Sequence, residues 1–91
     1  MQNNFFLGHE GGGSIGANNT GNTGIGIDAL NSLTNAGSGG GLGDDNTGIG
    51  HNALTSVTTG MGNTAVGAGA GETIAAAYNN NLFGVNAGRN I

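Results

Sequence analysis

Few side chains in this 91-residue chain can carry chemistry: His9, His51, Glu10, Glu72, Asp28, Asp44, Asp45, Tyr78 and Arg89, with no Cys. The run Gly40-Gly41-Leu42-Gly43-Asp44-Asp45 matches the front half of the calcium-binding nonapeptide Gly-Gly-x-Gly-x-Asp. Calcium there takes oxygens from successive turns, whereas this run occurs once and has Thr47 where an apolar residue belongs. Asp44 and Asp45 are therefore the metal candidate, and an acidic solvated loop is the plainer expectation. His9 and His51 fall at one position of a repeat, two layers apart. At ~4.8 Å per layer that is roughly 10 Å, too far for one metal ion. Three copies of His51 could meet on the axis of a trimer, but a surface or hydrogen-bonded role is the simpler expectation. Glu10 and Glu72 are single carboxylates with no partner in repeat register.

Catalysis fares no better. The many Ser and Thr residues have no base in register, and no thiol exists. Gly67-Ala68-Gly69-Ala70-Gly71 imitates a phosphate loop, yet no Gly-Lys-Ser/Thr follows. The chain is read as not an enzyme, without catalytic residues or cofactors.

Composition narrows the class. Gly supplies 22 residues and Pro none, so a collagen triple helix is excluded. One cation stands against five acids, for a net charge of −4. Such a chain cannot neutralise a phosphate backbone, so nucleic acid and anionic membrane are poor partners. No apolar run approaches the ~20 residues of a membrane span. The opening Met1-Gln2-Asn3-Asn4 lacks the basic and apolar regions of a signal peptide. Export by another route, a leader outside this chain, or release by lysis is expected. The low charge and abundant Gly, Asn, Ser and Thr would suit disorder, but the sequence is ordered by a repeat.

A unit Asn-x-x-(large apolar)-Gly starts at Asn4, Asn22, Asn46, Asn63 and Asn80, at spacings of 18, 24, 17 and 17. Its fourth position carries Leu7, Ile25, Ile49, Val66 and Phe83. Eight residues later a second apolar residue follows, in the pairs Leu7/Ile15, Ile25/Leu33, Ile49/Val57 and Val66/Ile74. Repeats of this size are stacked supersecondary units. The expected fold is all-β: one domain, 1–91, forming a parallel β-solenoid or β-roll of about five coils with a period of ~17 residues, and oligomeric. Each coil would hold two short strands and two turns. Alternation along the first strand would place Thr23, Ile25, Ile27 and Ala29 on one face, with a core of Leu7, Ile15, Ile25, Leu33, Ile49, Val57, Val66, Ile74 and Phe83. The surplus in the 24-residue spacing falls near 36–45, as a loop.

Other architectures fit less well. A meander of hairpins would favour Asn-Gly or Asp-Gly turns, and neither dipeptide occurs among fifteen Asn residues. Frequent Gly opposes a helical solenoid, and only Glu72–Tyr78 reads as helix-compatible. The Asn column is expected to hydrogen-bond along the stack, as amide ladders do in cross-β assemblies. The Thr column, Thr23, Thr47 and Thr64, is broken by Phe5 and Asn81, which argues against an ice-binding array.

The segment Asn46-Thr-Gly-Ile-Gly-His-Asn-Ala-Leu-Thr-Ser-Val-Thr-Thr-Gly60, followed by Asn63-Thr-Ala-Val-Gly67, resembles repeats of large bacterial surface proteins and phage tail fibres. It is also similar to the head domains of trimeric autotransporter adhesins. The resemblance implies a left-handed parallel β-roll, and a place on the cell surface, outside the cell, or in a virion tail fibre.

Assembly is expected from the thinness of such a core. Each Gly costs roughly 0.5–1 kcal/mol relative to Ala, so association must help to hold the coils. All four aromatics, Phe5, Phe6, Tyr78 and Phe83, lie near the two ends of the stack. Phe5, Phe6, Leu7, Tyr78, Leu82 and Phe83 are the expected assembly interface, and the partner is the chain itself, as a head-to-tail filament or a trimer. If Met1 of one copy followed Ile91 of another, Asn4 would fall fifteen residues after Asn80, two short of the period. The expected role is a non-catalytic structural subunit of an extracellular fibre. The alternative is a receptor-binding segment of an adhesin or tail fibre, recognising a host surface protein or glycan.

Overall fold

The computed structural model describes residues 3–11, 19–33 and 43–88. Ile15, Arg89 and the insertion before Gly43 lie outside the described residues. Strands β1 (Phe5–Leu7), β2 (Thr23–Ile25), β3 (Thr47–Ile49), β4 (Thr64–Val66) and β5 (Asn81–Phe83) form one sheet in chain order. Every pairing is parallel, and every pairing keeps the sequence repeat in register: Phe6, Gly24, Gly48, Ala65 and Leu82 make one column. Parallel neighbours in chain order require the chain to wind fully round between strands. The protein is an all-β parallel solenoid, and its four windings join five strands.

The rest of each coil corrects the expectation of two strands. Among the described residues, one strand of three residues forms per coil, and the opposite wall is built of turns, with one isolated parallel bridge between Met61 and Tyr78. The cause is a set of residues in left-handed backbone conformation. Asp28, Asn52 and Asn86 recur at φ near +60°, as do Asp45 and Asn79 at another corner. Extended strand cannot pass through such positions. Gly50 O accepts from Ala53 N at 3.1 Å and Gly67 O from Ala70 N at 3.0 Å. A four-residue turn with positive φ at its third residue is of the type II kind, which favours Asn or Gly there. The backbone still bonds coil to coil along this wall, with Leu54 N donating to Ala70 O and Thr58 N to Ala75 O, both at 2.9 Å. Glu72–Tyr78 is turn and bridge, not helix.

The core also differs from expectation. Leu30, Leu33, Leu54, Val57, Ala65, Ala70 and Ile74 form it, with Phe6 and Leu82 packed against it. Leu33, Val57 and Ile74 lie on the turn wall. On the strand side, the third position of the repeat points inward, not the fourth. A Cβ on Gly48 would lie 3.5 Å from both Leu30 Cγ and Leu54 Cδ1. Leu7, Ile25, Ile49, Val66 and Phe83 therefore point away from the core: Leu7 is 57% exposed and Phe83 is 70% exposed, while the middle three are half-buried. The physical reason is thickness. The smallest dimension of the Cα envelope is 14 Å, room for a single layer of side chains. Leu30 and Leu54 fill that layer from the turn wall, so the strand must present Gly opposite them, and period-two alternation sends the larger neighbours outward.

Leu30 and Leu54 hold φ of +54° and +53°. That conformation costs a non-Gly residue roughly 1–2 kcal/mol, and full burial of a Leu returns about 1.5–3 kcal/mol. Burial wins, which accounts for a residue type seldom found there.

Candidate functional site

Three features of the stack could serve function: an internal amide ladder, an apolar outer face, and two edges.

The ladder joins Asn4, Asn22, Asn46, Asn63 and Asn80. Each Asn sends its backbone N and its Nδ2 to the Oδ1 of the Asn one coil earlier: Asn22 to Asn4 at 3.0 and 3.0 Å, Asn46 to Asn22 at 2.9 and 3.1 Å, Asn63 to Asn46 at 3.1 and 3.0 Å, and Asn80 to Asn63 at 3.1 and 3.0 Å. The second Nδ2 hydrogen goes forward to the carbonyl that precedes the next ladder Asn by three residues: Asn4 to Asn19 O, Asn22 to Gly43 O, Asn46 to Gly60 O and Asn63 to Ala77 O, at 2.8–3.0 Å. Asn22, Asn46 and Asn63 are fully buried or nearly so. Only an amide has one acceptor and two donors on adjacent atoms, so neither Asp nor Leu can replace it.

Next to the ladder, each coil passes a Gly with φ of about 120–135°. A Cβ on Gly50 would lie 2.6 Å from Gly67 O. The bare backbone is what lets successive coils touch at this corner.

The outer face holds two columns of the sheet, Phe5–Thr23–Thr47–Thr64–Asn81 and Leu7–Ile25–Ile49–Val66–Phe83. The corner beside it carries His9, Ile27, His51, Ala68 and Val85, all exposed. Of the residues expected at an assembly interface, Phe5, Leu7, Tyr78 and Phe83 are exposed. Phe6 and Leu82 are a correction: they turn inward against the core, because the third position faces it.

At the edges, β1 and β5 each have one neighbour. Among the described residues, nothing accepts from Asn4 N and nothing donates to Asn80 Oδ1. A Cβ on Gly84 would meet nothing within 4 Å.

Of the calcium candidate's motif, Gly40, Gly41 and Leu42 lie outside the described residues. Asp44 is 7% exposed, and its Oδ1 accepts from Thr20 N at 2.9 Å, tying one coil to the next. Asp45 sits beside it at φ +58° with its side chain exposed. Among the described residues, no three His, Asp or Glu side chains are grouped to hold a metal ion. His9 lies 3.5 Å from Glu10 through Nε2 and Oε2, both side chains well exposed, a geometry worth little. His51 stands two strands away, with Ile27 between them in the column. A shallow hollow near the last coil is lined by Thr73, Ile74, Ala75, Ala76, Ala77 and Asn80. No helix among the described residues is long and apolar enough to cross a membrane.

No protein-family model, curated protein or solved structure matches this chain. The class is set by the fold alone, a parallel β-solenoid with an internal Asn ladder.

Reasoning from the repeat alone misses the outer face, because it assigns the bulkier alternate position to the core. A signal was present. Where the third position is Gly (Gly24, Gly48), Leu follows six residues later (Leu30, Leu54), and where it is Leu (Leu82), Gly follows (Gly88). That exchange of volume marks the third position as the inward one.

Proposed function

We propose that this chain is a non-catalytic structural subunit of an extracellular fibre or filament, assembled by stacking β-coil on β-coil. The observation that supports this reading is the complementarity of the two edges. Among the described residues, the Asn4 N–H at β1 has no acceptor and the Asn80 Oδ1 at β5 has no donor. Within the chain those two groups are the ones that join each coil to the next. A second copy placed below β5 would continue the same bonds, with its Gly8 corner over Gly84, where the backbone stands bare. Such a contact is heterologous and does not close, which gives open fibres. Unpaired strand edges are templates for pairing of this kind. The placement outside the cell, on a cell surface or in a virion tail fibre, rests on the resemblance of residues 46–67 to repeats of surface proteins and tail fibres.

Negative-stain electron microscopy of the purified protein tests the proposal. Fibres are expected, and Asn80→Leu, which removes the acceptor at β5, should shorten or abolish them. Discrete particles of one size at every concentration would overturn it.

A further inference from the structure

We propose that the outer face of the sheet is a lateral interface, and that its occupant is the same face of a second copy of this chain. The inference deepens the stacking reading, on which it relies for strength. The face is apolar where it is largest: Leu7, Ile25, Ile49, Val66 and Phe83 run in register across all five strands. The largest contiguous apolar patch on a typical monomer is about 300–600 Å² and is often functional. Sheets that pack face to face do so at about 10 Å through such residues.

Charge selects the occupant. The two sheet columns and the corner column carry no Asp, Glu, Lys or Arg, although the chain has a net charge of −4. The nearest carboxylates in the chain, Glu10 and Asp28, stand one residue past the corner, at φ of 59° and 60°. Two copies can meet through this face without bringing carboxylates together. A nucleic acid or a strongly charged protein would find no counter-charge on it. The strand backbone is already bonded within the sheet, so the face offers side-chain packing and little else.

Area sets how the contact works. Five strands at ~4.8 Å and about five residues at ~3.3 Å give a face on the order of 400 Å². A pair would bury about 800 Å², short of the roughly 1,200–2,000 Å² of a stable interface. Single copies therefore associate weakly through this face. Two copies stacked end to end present about twice the area and reach the stable range. Lateral pairing and stacking reinforce each other, and a fibre forms with at least two stacks abreast.

The test compares wild type with Ile49→Glu, which puts a charge at the centre of the face, and with Ile49→Thr, which removes apolar area and keeps strand propensity. Fibre mass per length is measured by scanning transmission electron microscopy, and self-association of the soluble protein by sedimentation equilibrium. The expected result is a wild-type fibre at least two chains wide, with mass per length halved or lower in Ile49→Glu and an unchanged far-ultraviolet spectrum. If Ile49→Glu does not fold, Ile49→Thr should weaken self-association about tenfold. A wild-type fibre one chain wide, or equal mass per length in wild type and folded variants, overturns the lateral interface and leaves stacking intact. Absence of fibres, with self-association that either variant weakens, overturns stacking and supports the interface. Absence of both fibres and self-association overturns the interface as well.

Discussion

Asn46 donates both its backbone N–H and its Nδ2 to the single Oδ1 of Asn22, at 2.9 and 3.1 Å, and passes the same arrangement on to Asn63. One side chain thus joins three coils. Replacing Asn46 by Ala removes two side-chain donations and leaves the backbone N–H of Asn63 and one of its two Nδ2 hydrogens without an acceptor, the other staying on Ala77 O. Each buried group left unsatisfied costs about 1–3 kcal/mol. Asn46→Ala is expected to lower stability by roughly 3 kcal/mol or more, read as a fall in the urea midpoint.

Asn46→Asp separates the acceptor role from the donor role. The carboxylate keeps Oδ1 for Asn63 but sets its other oxygen against Asn22 Oδ1 and Gly60 O, where Nδ2 now stands at 3.1 and 3.0 Å. Burial without donors on that side raises the folded-state pKa of the new carboxyl above its unfolded value. The sign follows: the protonated form suits the fold, so the variant's stability relative to wild type falls as pH rises past the unfolded carboxyl range. The deficit against wild type should be larger at pH 7 than at pH 3.5, measured by denaturant melts at both pH values.

Gly50→Ala should be among the most damaging single changes. The added Cβ would lie 2.6 Å from Gly67 O on a backbone at φ +131°. Rigid backbone on both sides cannot yield, so the coils must separate at this corner. Loss of the cooperative thermal transition is expected, whereas Thr55→Ala, on the half-buried turn wall of the same coil, should shift the midpoint by only a few degrees.

Leu54 and Gly71 test the single-layer core. Leu54 is fully buried, and a Cβ on Gly71 would lie 2.7 Å from Leu54 Cδ2. Leu54→Ala is expected to cost about 2–5 kcal/mol by leaving a cavity. Gly71→Ala overpacks the same space, and adding Leu54→Ala to it should be less than additive. A double-mutant cycle in urea measures that coupling.

How much of this was legible depends on what each residue answers to. The parallel solenoid can be read because register repeats in the sequence: Asn46-Thr47-Gly48-Ile49-Gly50 and Asn22-Thr23-Gly24-Ile25-Gly26 are the same strand one coil apart. The Asn column is visible for the same reason. The outer face was hidden because Ile25 and Gly24 are both compatible with a strand, and only the distant Leu30 and Leu54 decide which of them fits inside. That contest is one of volume within a 14 Å coil, and strand periodicity alone does not register it. The turn wall was misread as strand because Asp28, Asn52 and Asn86 hold positive φ, which their residue types permit but do not announce. The motif around Asp44 suggests an acidic solvated loop, with a metal site as the alternative, and only the fold shows its carboxylate accepting from Thr20 N between coils.

The most direct measurement of the central claim is fibre diffraction from aligned protein. If coils stack coil on coil through the Asn4 and Asn80 edges, the axial spacing of ~4.8 Å between strands should appear on the meridian, with a subunit repeat of about 24 Å for five coils. A fibre whose ~4.8 Å spacing lies across the axis, or a protein that forms no fibre, would contradict it.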